Sequence, residues 1–319
     1  MQFYPLTFEP IYKERIWGGT KLKDFLNKSF EGNQIGESWE LSTVANDVSV
    51  VSNGEMTGLN LNELIEKYPT EILGSCSIDK FGLEFPLLFK FLDAKEDLSI
   101  QVHPNDELAK LRHNSFGKTE MWYVMQADEN ARLVVGFKNK TNKKDYLKHL
   151  ENKTLVGVLN ETSVKKGDTF FLETGTVHAI GAGVLIAEIQ QTSDITYRLY
   201  DWDRVDANGN SRELHNNLAV DAINFEETST KVAYEKNINK RVNLVDCPFF
   251  TTNILSISGK YTWKKNKDVF TVFMCTEGSF VLVTPNSTLE FKKGDTLLIP
   301  AIIEQLEIIG KTSLLEITI

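Results

Sequence analysis

Cysteine is scarce in this chain, with three among 319 residues. Cys76, Cys247 and Cys275 are odd in number and irregularly spaced, so they make neither a disulfide framework nor a Cys-x-x-Cys metal motif; free thiols in a reducing cytoplasm are expected. A positive excess is also missing. The formal charge is -9 and the pI about 5.2, which argues against unaided binding to nucleic acid or to an anionic membrane, because both select basic faces. No apolar run reaches the roughly 18 residues of a membrane span, and Met1-Gln2-Phe3-Tyr4-Pro5 lacks the basic start of a secretory signal. A soluble cytoplasmic protein is the expectation that survives these absences, with apolar content (41%) sufficient for a packed core.

Crossover helices are few as well. Short β-type runs dominate, at 48–52, 98–103, 120–125, 132–137, 169–172, 184–190 and 196–200, while helical patterns are confined to 61–68 (with Asn60 as N-cap), 106–113, 143–150 and 213–225. Strands joined without crossover helices predict antiparallel sheets in a sandwich or barrel, not a doubly wound fold. A polar stretch at 226–240 precedes a return to strands at 249–257, 269–275, 279–283, 296–299 and 313–319. A domain boundary is expected there, with one domain over 1–230, carrying an N-terminal extension and helices, and a C-terminal domain over 241–319.

The two parts echo one another. Val164-Lys165-Lys166-Gly167-Asp168-Thr169-Phe170-Phe171-Leu172 resembles Phe291-Lys292-Lys293-Gly294-Asp295-Thr296-Leu297-Leu298-Ile299, a Lys-Gly-Asp turn before an apolar strand in both copies. Superposing the copies sets His178 opposite Gln305. The second copy has lost its histidine, so any chemistry that needs that histidine is expected in the first only.

Three fragments concentrate the chemistry: Gln101-Val102-His103, Lys118-Thr119-Glu120 and Thr176-Val177-His178. Strand side chains alternate faces, so Gln101 shares a face with His103, and Lys118 with Glu120. If these faces converge with His178, then Gln101, His103, Glu120 and His178 form a four-ligand N/O shell that suits zinc, iron or manganese. Taken singly, each histidine reads as easily as a hydrogen-bonded core residue; His113, His149 and His215 sit beside polar residues and read as solvated. Glu188 stands among aliphatics on its strand and needs a partner or a proton. Arg198, in the acid-rich run 194–206 that begins at Asp194, suits bidentate binding of a phosphate or carboxylate, or an ordinary ion pair. Trp17-Gly18-Gly19 and Trp39, with Glu37 and Glu40, either line a pocket or pack.

Together these residues resemble type I mannose-6-phosphate isomerases in their short bacterial form. The match runs from Trp17-Gly18-Gly19 through Phe85-Pro86-Leu87-Leu88-Phe89-Lys90, Ser99-Ile100-Gln101-Val102-His103-Pro104, Gly117-Lys118-Thr119-Glu120-Met121-Trp122 and Gly175-Thr176-Val177-His178-Ala179 to Ser193-Asp194-Ile195-Thr196-Tyr197-Arg198. The resemblance implies an all-β double cupin with a few short helices and a degenerate second cupin. It implies one Zn2+ per chain on Gln101, His103, Glu120 and His178, and a small-molecule sugar phosphate as substrate, lined by Lys118, Glu188, Asp194 and Arg198. Larger family members carry a lysine six residues after the arginine; Arg204 stands there, so Arg198, Arg204 and Lys118 are the expected phosphate contacts. Those members also place His-Lys-Pro-Glu where this chain has Gly117-Lys118-Thr119-Glu120, so no ring-opening role for that histidine carries over. The expected reaction is aldose–ketose interconversion through a cis-enediol, with Glu188, Asp194 and Lys118 all open as the base. Another metal-dependent cupin, an epimerase or Fe(II) oxygenase, and a non-catalytic sugar-phosphate sensor are the alternatives.

Overall fold

The computed structural model describes residues 2–205, 208–226, 229–284 and 288–319. Asp206 of the acid-rich run and Glu227 and Thr228 of the polar stretch lie outside the described residues. The chain is mainly antiparallel β. A seven-stranded sheet runs in the order β1-β2-β3-β10-β5-β8-β12, with β1 Ile11–Gly19, β2 Ile35–Leu41, β3 Leu87–Ala94, β5 Glu120–Ala127, β8 Thr169–Leu172, β10 Val184–Gln191 and β12 Lys231–Val232. Facing it is a five-stranded sheet, β11-β4-β9-β6-β7, built from β4 Ile100–Val102, β6 Arg132–Phe137, β7 Leu159–Ser163, β9 His178–Ile180 and β11 Tyr197–Tyr200. The C-terminal sheet is β13-β14-β18-β15-β16 with β17 joined to β15, comprising β13 Arg241–Asp246, β14 Thr251–Lys264, β15 Thr271–Val283, β16 Thr288–Lys292, β17 Thr296–Ile299 and β18 Gln305–Thr318. This is the double cupin that the resemblance implies.

The two-residue period of a strand decides what each face does. Leu92 and Ala94 of β3, Trp122 and Val124 of β5, and Val184 and Ile186 of β10 meet Leu133, Val135 and Ile180 between the two N-terminal sheets. The alternate residues, Phe89 and Phe91, Met121, Tyr123 and Met125, Leu185, Ala187 and Ile189, turn the other way into a cluster shared with Phe250, Ile254, Phe270, Met274, Leu315 and Ile317 of the C-terminal unit. Each such side chain contributes about 1.5–3 kcal/mol when fully buried. Lys90, Glu120 and Glu188 have the parity of the first set and extend it as its polar end.

The sequence echo is a structural repeat. Gly167 and Gly294 both take positive φ (91° and 93°), where glycine carries no Cβ penalty. Asp168 accepts from the Lys165 N–H at 3.1 Å, and Asp295 from the Lys292 N–H at 2.7 Å, so one side-chain turn is built twice. The Val124 N–H donates to the Asp168 carbonyl, and the Cys275 N–H to that of Asp295, at 2.9 Å each.

Local signals explain the helices. The helix Leu61–Lys67 has a full capping box between Asn60 and Glu63, and Asn105 and Asn142 cap Asp106–His113 and Lys143–Glu151. Two expectations are corrected. Within 213–225 only Asn216–Ala219 is helical, because the Arg198 strand claims the backbone: Arg198 Nη1 donates to the Glu213 carbonyl and the His215 N–H to the Arg198 carbonyl. Residues 48–52 form only isolated bridges, Val50 to Asn60 and Val51 to Phe8.

Candidate metal centre and active site

Pairing between β4 and β9 sets Gln101 directly opposite His178, and β5 brings Glu120 in from the facing sheet. The ligand atoms of His103, Glu120 and His178 lie within 4.8 Å of one another, and all three residues are buried. Each imidazole is oriented from behind: His103 Nδ1–H donates to the Ile195 carbonyl and His178 Nδ1–H to the Thr176 carbonyl, both at 2.8 Å. That fixes the tautomer and leaves each Nε2 with a lone pair turned to the common point. Burial, with Lys118 adding to it, holds both histidines below the usual range, His178 at about 4, so both are neutral.

Glu120 Oε1 is buried without a hydrogen-bond partner, 3.4 Å from His178 Nε2. Its Oε2 accepts from Lys118 at 2.6 Å, and Lys118 Nζ also donates to His103 Nε2 at 3.2 Å. Burial pushes the Glu120 carboxyl up to about 7, against the pull of Lys118. Gln101 Nε2 stands 3.3 Å from His178 Nε2, and turning the amide over presents its oxygen at the same place. Two bare imidazole nitrogens, a buried carboxylate with an orphaned oxygen and an amide oxygen are the donor set a divalent cation of zinc type takes. The residues fit a metal.

A cavity of about 460 Å³ opens beside this cluster. Five cationic side chains line it, Arg15, Lys90, Lys118, Arg198 and Arg212, against three carboxylates, Glu37, Glu188 and Asp194. A chain of charge -9 thus presents a net positive hollow. Glu188 is buried, 3.3 Å from Lys90 Nζ, and accepts from Trp122 Nε1 at 2.9 Å. Burial alone would raise its pKa, but Lys118 and Lys90 outweigh that and hold it well below the usual range, so it stays ionised. Lys118 keeps its proton for the converse reason: burial opposes it, and Glu120 and Glu188 prevail. The Trp122 ring also stands edge-on to His178 at 5.2 Å, tying the Glu188 wall to the ligand cluster.

Trp17, Glu37 and Trp39 line this cavity, but Glu40, one residue out of phase on β2, faces away and binds Lys28 and Ser38. Asp194 is exposed at the rim. Arg198 is half-buried; its Nε lacks a partner, and its backbone N–H donates to His215 Nδ1 at 3.1 Å. His215 is therefore a brace for the arginine strand, not a solvated side chain. Arg204 is not among the residues lining the cavity; its Nη2 bonds Asp201 at 2.6 Å. Arg15, Lys90 and Arg212 went unassigned in the sequence. Lys90 had a signal, a lysine inside an aliphatic strand; Arg212 lies in a loop with no pattern around it.

Residues 6–138 match the family model for the type I phosphomannose isomerase catalytic domain, and residues 240–319 match the mannose-6-phosphate isomerase cupin domain. The chain belongs to the type I phosphomannose isomerase family. It is 39% identical over 300 residues to the mannose-6-phosphate isomerase ManA of Bacillus subtilis, covering 93% of each chain. To the mannose-6-phosphate isomerase of Streptococcus mutans it is 33% identical, covering 96% of this chain and 95% of that one. A crystal structure of a mannose 6-phosphate isomerase from Bacillus subtilis superposes with a TM-score of 0.89 at 34% identity, covering 99% of this chain and all (100%) of that one. These relatives are isomerases, not oxygenases, epimerases or sensors. A phosphomannose isomerase variant from Salmonella typhimurium shares the fold at TM-score 0.81 and 17% identity.

Proposed function

We propose that this member of the family interconverts mannose 6-phosphate and fructose 6-phosphate at the cavity beside His103, Glu120 and His178. The observation that carries the reading is the junction of a buried ligand cluster, its two imidazoles neutral and pre-oriented, with a cation-lined hollow inside an acidic protein. Gln101, His103, Glu120 and His178 would hold one ion, with zinc the metal best suited to this N/O donor set. When bound, such an ion supplies Lewis acidity to the sugar's carbonyl and hydroxyl oxygens.

The protein's own groups divide the remaining work. In the aldose-to-ketose direction a base removes the proton on C2 and returns it to C1, while the O2 proton ends on O1. Glu188, held ionised by Lys118 and Lys90, is the base this geometry favours. The Lys118 ammonium is a proton donor to the oxygens as their charge develops. Arg198 holds the phosphate, turning remote binding energy into position for the reacting carbons, with Asp194 at the rim and Arg204 paired with Asp201 behind it. No helix among the described residues is long and apolar enough to cross a membrane, and the three cysteines are free; both are compatible with the cytoplasm, where we place the enzyme. The test is a coupled assay of purified protein with mannose 6-phosphate, before and after chelation, with metal content measured alongside. Turnover that is absent throughout, or unchanged after the metal has been stripped, would overturn the reading.

A further inference from the structure

The expected second phosphate contact, Arg204, does not reach the cavity, while an arginine eight residues further along does. Asp201, 5% exposed, is the carboxylate they share. It accepts from Arg204 Nη2 at 2.6 Å, and from Arg212 through Nε at 2.7 Å and through Nη2. Arg204 also approaches Glu96 (3.9 Å), so its charge is answered by acids on two sides. Arg212 turns its Nε–Nη2 edge to Asp201 and lines the cavity together with Arg198, and among the described residues its Nη1 makes no hydrogen bond.

The backbone explains the placement. A bridge between Val205 and Ser211 folds the loop back. The next residues then run beside β11, where the Arg198 side chain donates to the Glu213 carbonyl at 2.8 Å and the His215 N–H donates to the Arg198 carbonyl at 2.7 Å. Arg198 and Arg212 thus emerge from adjacent segments onto one wall. Among the described residues three guanidinium groups gather around Asp201, and Arg198, like Arg204, has a buried Nε with no partner. A phosphate dianion supplies the missing acceptors, and two guanidinium forks match its oxygens in geometry as well as charge.

We infer that Arg212 is the second arginine of the phosphate clamp, in direct contact with the ester, and that Arg204 is a supporting ion pair behind it. This rests on the sugar-phosphate reading above and assigns one of its residues. Four proteins decide it: the wild type, Arg212→Ala, Arg212→Lys and Arg204→Ala. Each is assayed with mannose 6-phosphate and titrated calorimetrically with glucitol 6-phosphate and with glucitol, which carry no carbonyl to isomerise. Arg212→Ala raises KM, and Kd for the phosphorylated polyol, by about a hundredfold while kcat stays within a few-fold, since a charge-assisted contact remote from the reacting carbons is lost. Arg212→Lys recovers part of that loss. Arg204→Ala lowers the melting temperature and moves KM by less than about threefold.

The assignment is overturned if Arg212→Ala keeps KM within about threefold of wild type, or if Arg204→Ala has the larger effect on KM. Equal loss of affinity for glucitol and its phosphate in Arg212→Ala also overturns it. If Arg212→Ala does not fold, Arg212→Gln, which can still donate to Asp201, carries the same comparison. Wild-type protein that binds glucitol as tightly as its phosphate overturns the sugar-phosphate reading itself, a result distinct from failure of the Arg212 variants alone.

Discussion

The two β units can be laid on each other through their shared turn, and the positions that correspond tell two histories. Thr169 pairs with Tyr123 and Leu172 with Glu120; Thr296 pairs with Met274 and Ile299 with Thr271. Thr271 therefore occupies the register of Glu120. Gln101 faces His178, and Lys264 faces Gln305, so Thr271, Lys264 and Gln305 stand where Glu120, Gln101 and His178 do, with no histidine or carboxylate among them. One acid persists: Glu188 pairs with Trp122, and Glu316 with Phe273 at the same register. In the first unit that carboxylate borders an open cavity of about 460 Å³. In the second, Arg241 Nε donates to both Glu316 oxygens at 2.8 and 2.9 Å, and Trp263 Nε1 donates to Oε1; about 90 Å³ of space remains. Between the strands, Trp263, Phe273, Phe280, Leu297 and Leu306 fill the interior. The fold tolerates a buried acid at this place in both units, open to a cavity in the first and closed over by an arginine and a tryptophan in the second.

The largest test of that contrast removes a ligand. His103→Ala should lose the metal and lower kcat/KM on the order of a thousandfold or more, whereas Gln305→Ala should leave turnover nearly unchanged. Elemental analysis should find one equivalent of divalent ion in the wild type, and two equivalents would break the asymmetry. Next come the paired acids. Glu188→Gln should lower kcat by about a hundredfold to a thousandfold with little change in melting temperature, while Glu316→Gln should lower stability by about 2–3 kcal/mol with kcat preserved. Matching phenotypes would show that the two positions are not functionally distinct.

Arg198→Ala should cost about a hundredfold in kcat/KM with the metal retained, and should erase much of the preference for mannose 6-phosphate over mannose. If both sugars suffer equally, the arginine serves the chemistry and not the phosphate. The smallest effect concerns pH. Asp93 on β3 is buried, with Oδ1 unpartnered and Oδ2 accepting the Lys21 N–H at 2.6 Å. Burial raises its pKa to about 6, and Ser256 holds the corresponding place in the second unit. A carboxyl raised in the folded state stabilises the fold below its unfolded pKa, and that contribution is lost as pH rises through about 6. Wild-type melting temperature should therefore decline between pH 4 and 6 relative to Asp93→Asn, by an amount equivalent to about 2 kcal/mol. Parallel curves would count against it.

The cluster of His103, Glu120 and His178 was readable because strand residues alternate. β6, β8 and β10 stand close to where the sequence sets them, and polar residues at two-residue spacing marked Gln101 with His103 and Lys118 with Glu120. β2 and β3 escaped notice because both faces are covered, so Ile35–Leu41 and Leu87–Ala94 show no alternation. Gly278, at positive φ, read as a break between two strands, yet β15 passes through it as one, with a register shift opposite Ser313. Arg212 was illegible for another reason. Its position depends on how a loop folds back at Val205 and Ser211, a tertiary outcome that no local pattern encodes.

The central strands of the seven-stranded sheet have one further consequence. Their even-numbered residues face the interior that holds the candidate site, and their odd-numbered neighbours make the seam with the C-terminal unit. Trimming that unit away would strip the cover from Phe89, Phe91, Met121 and Ala187, which are bonded through the backbone to Lys90, Glu120 and Glu188. The C-terminal unit is thereby tied to the candidate site without lending it a side chain that lines the cavity, because the back of its surface is the back of the strands that carry Lys90, Glu120 and Glu188.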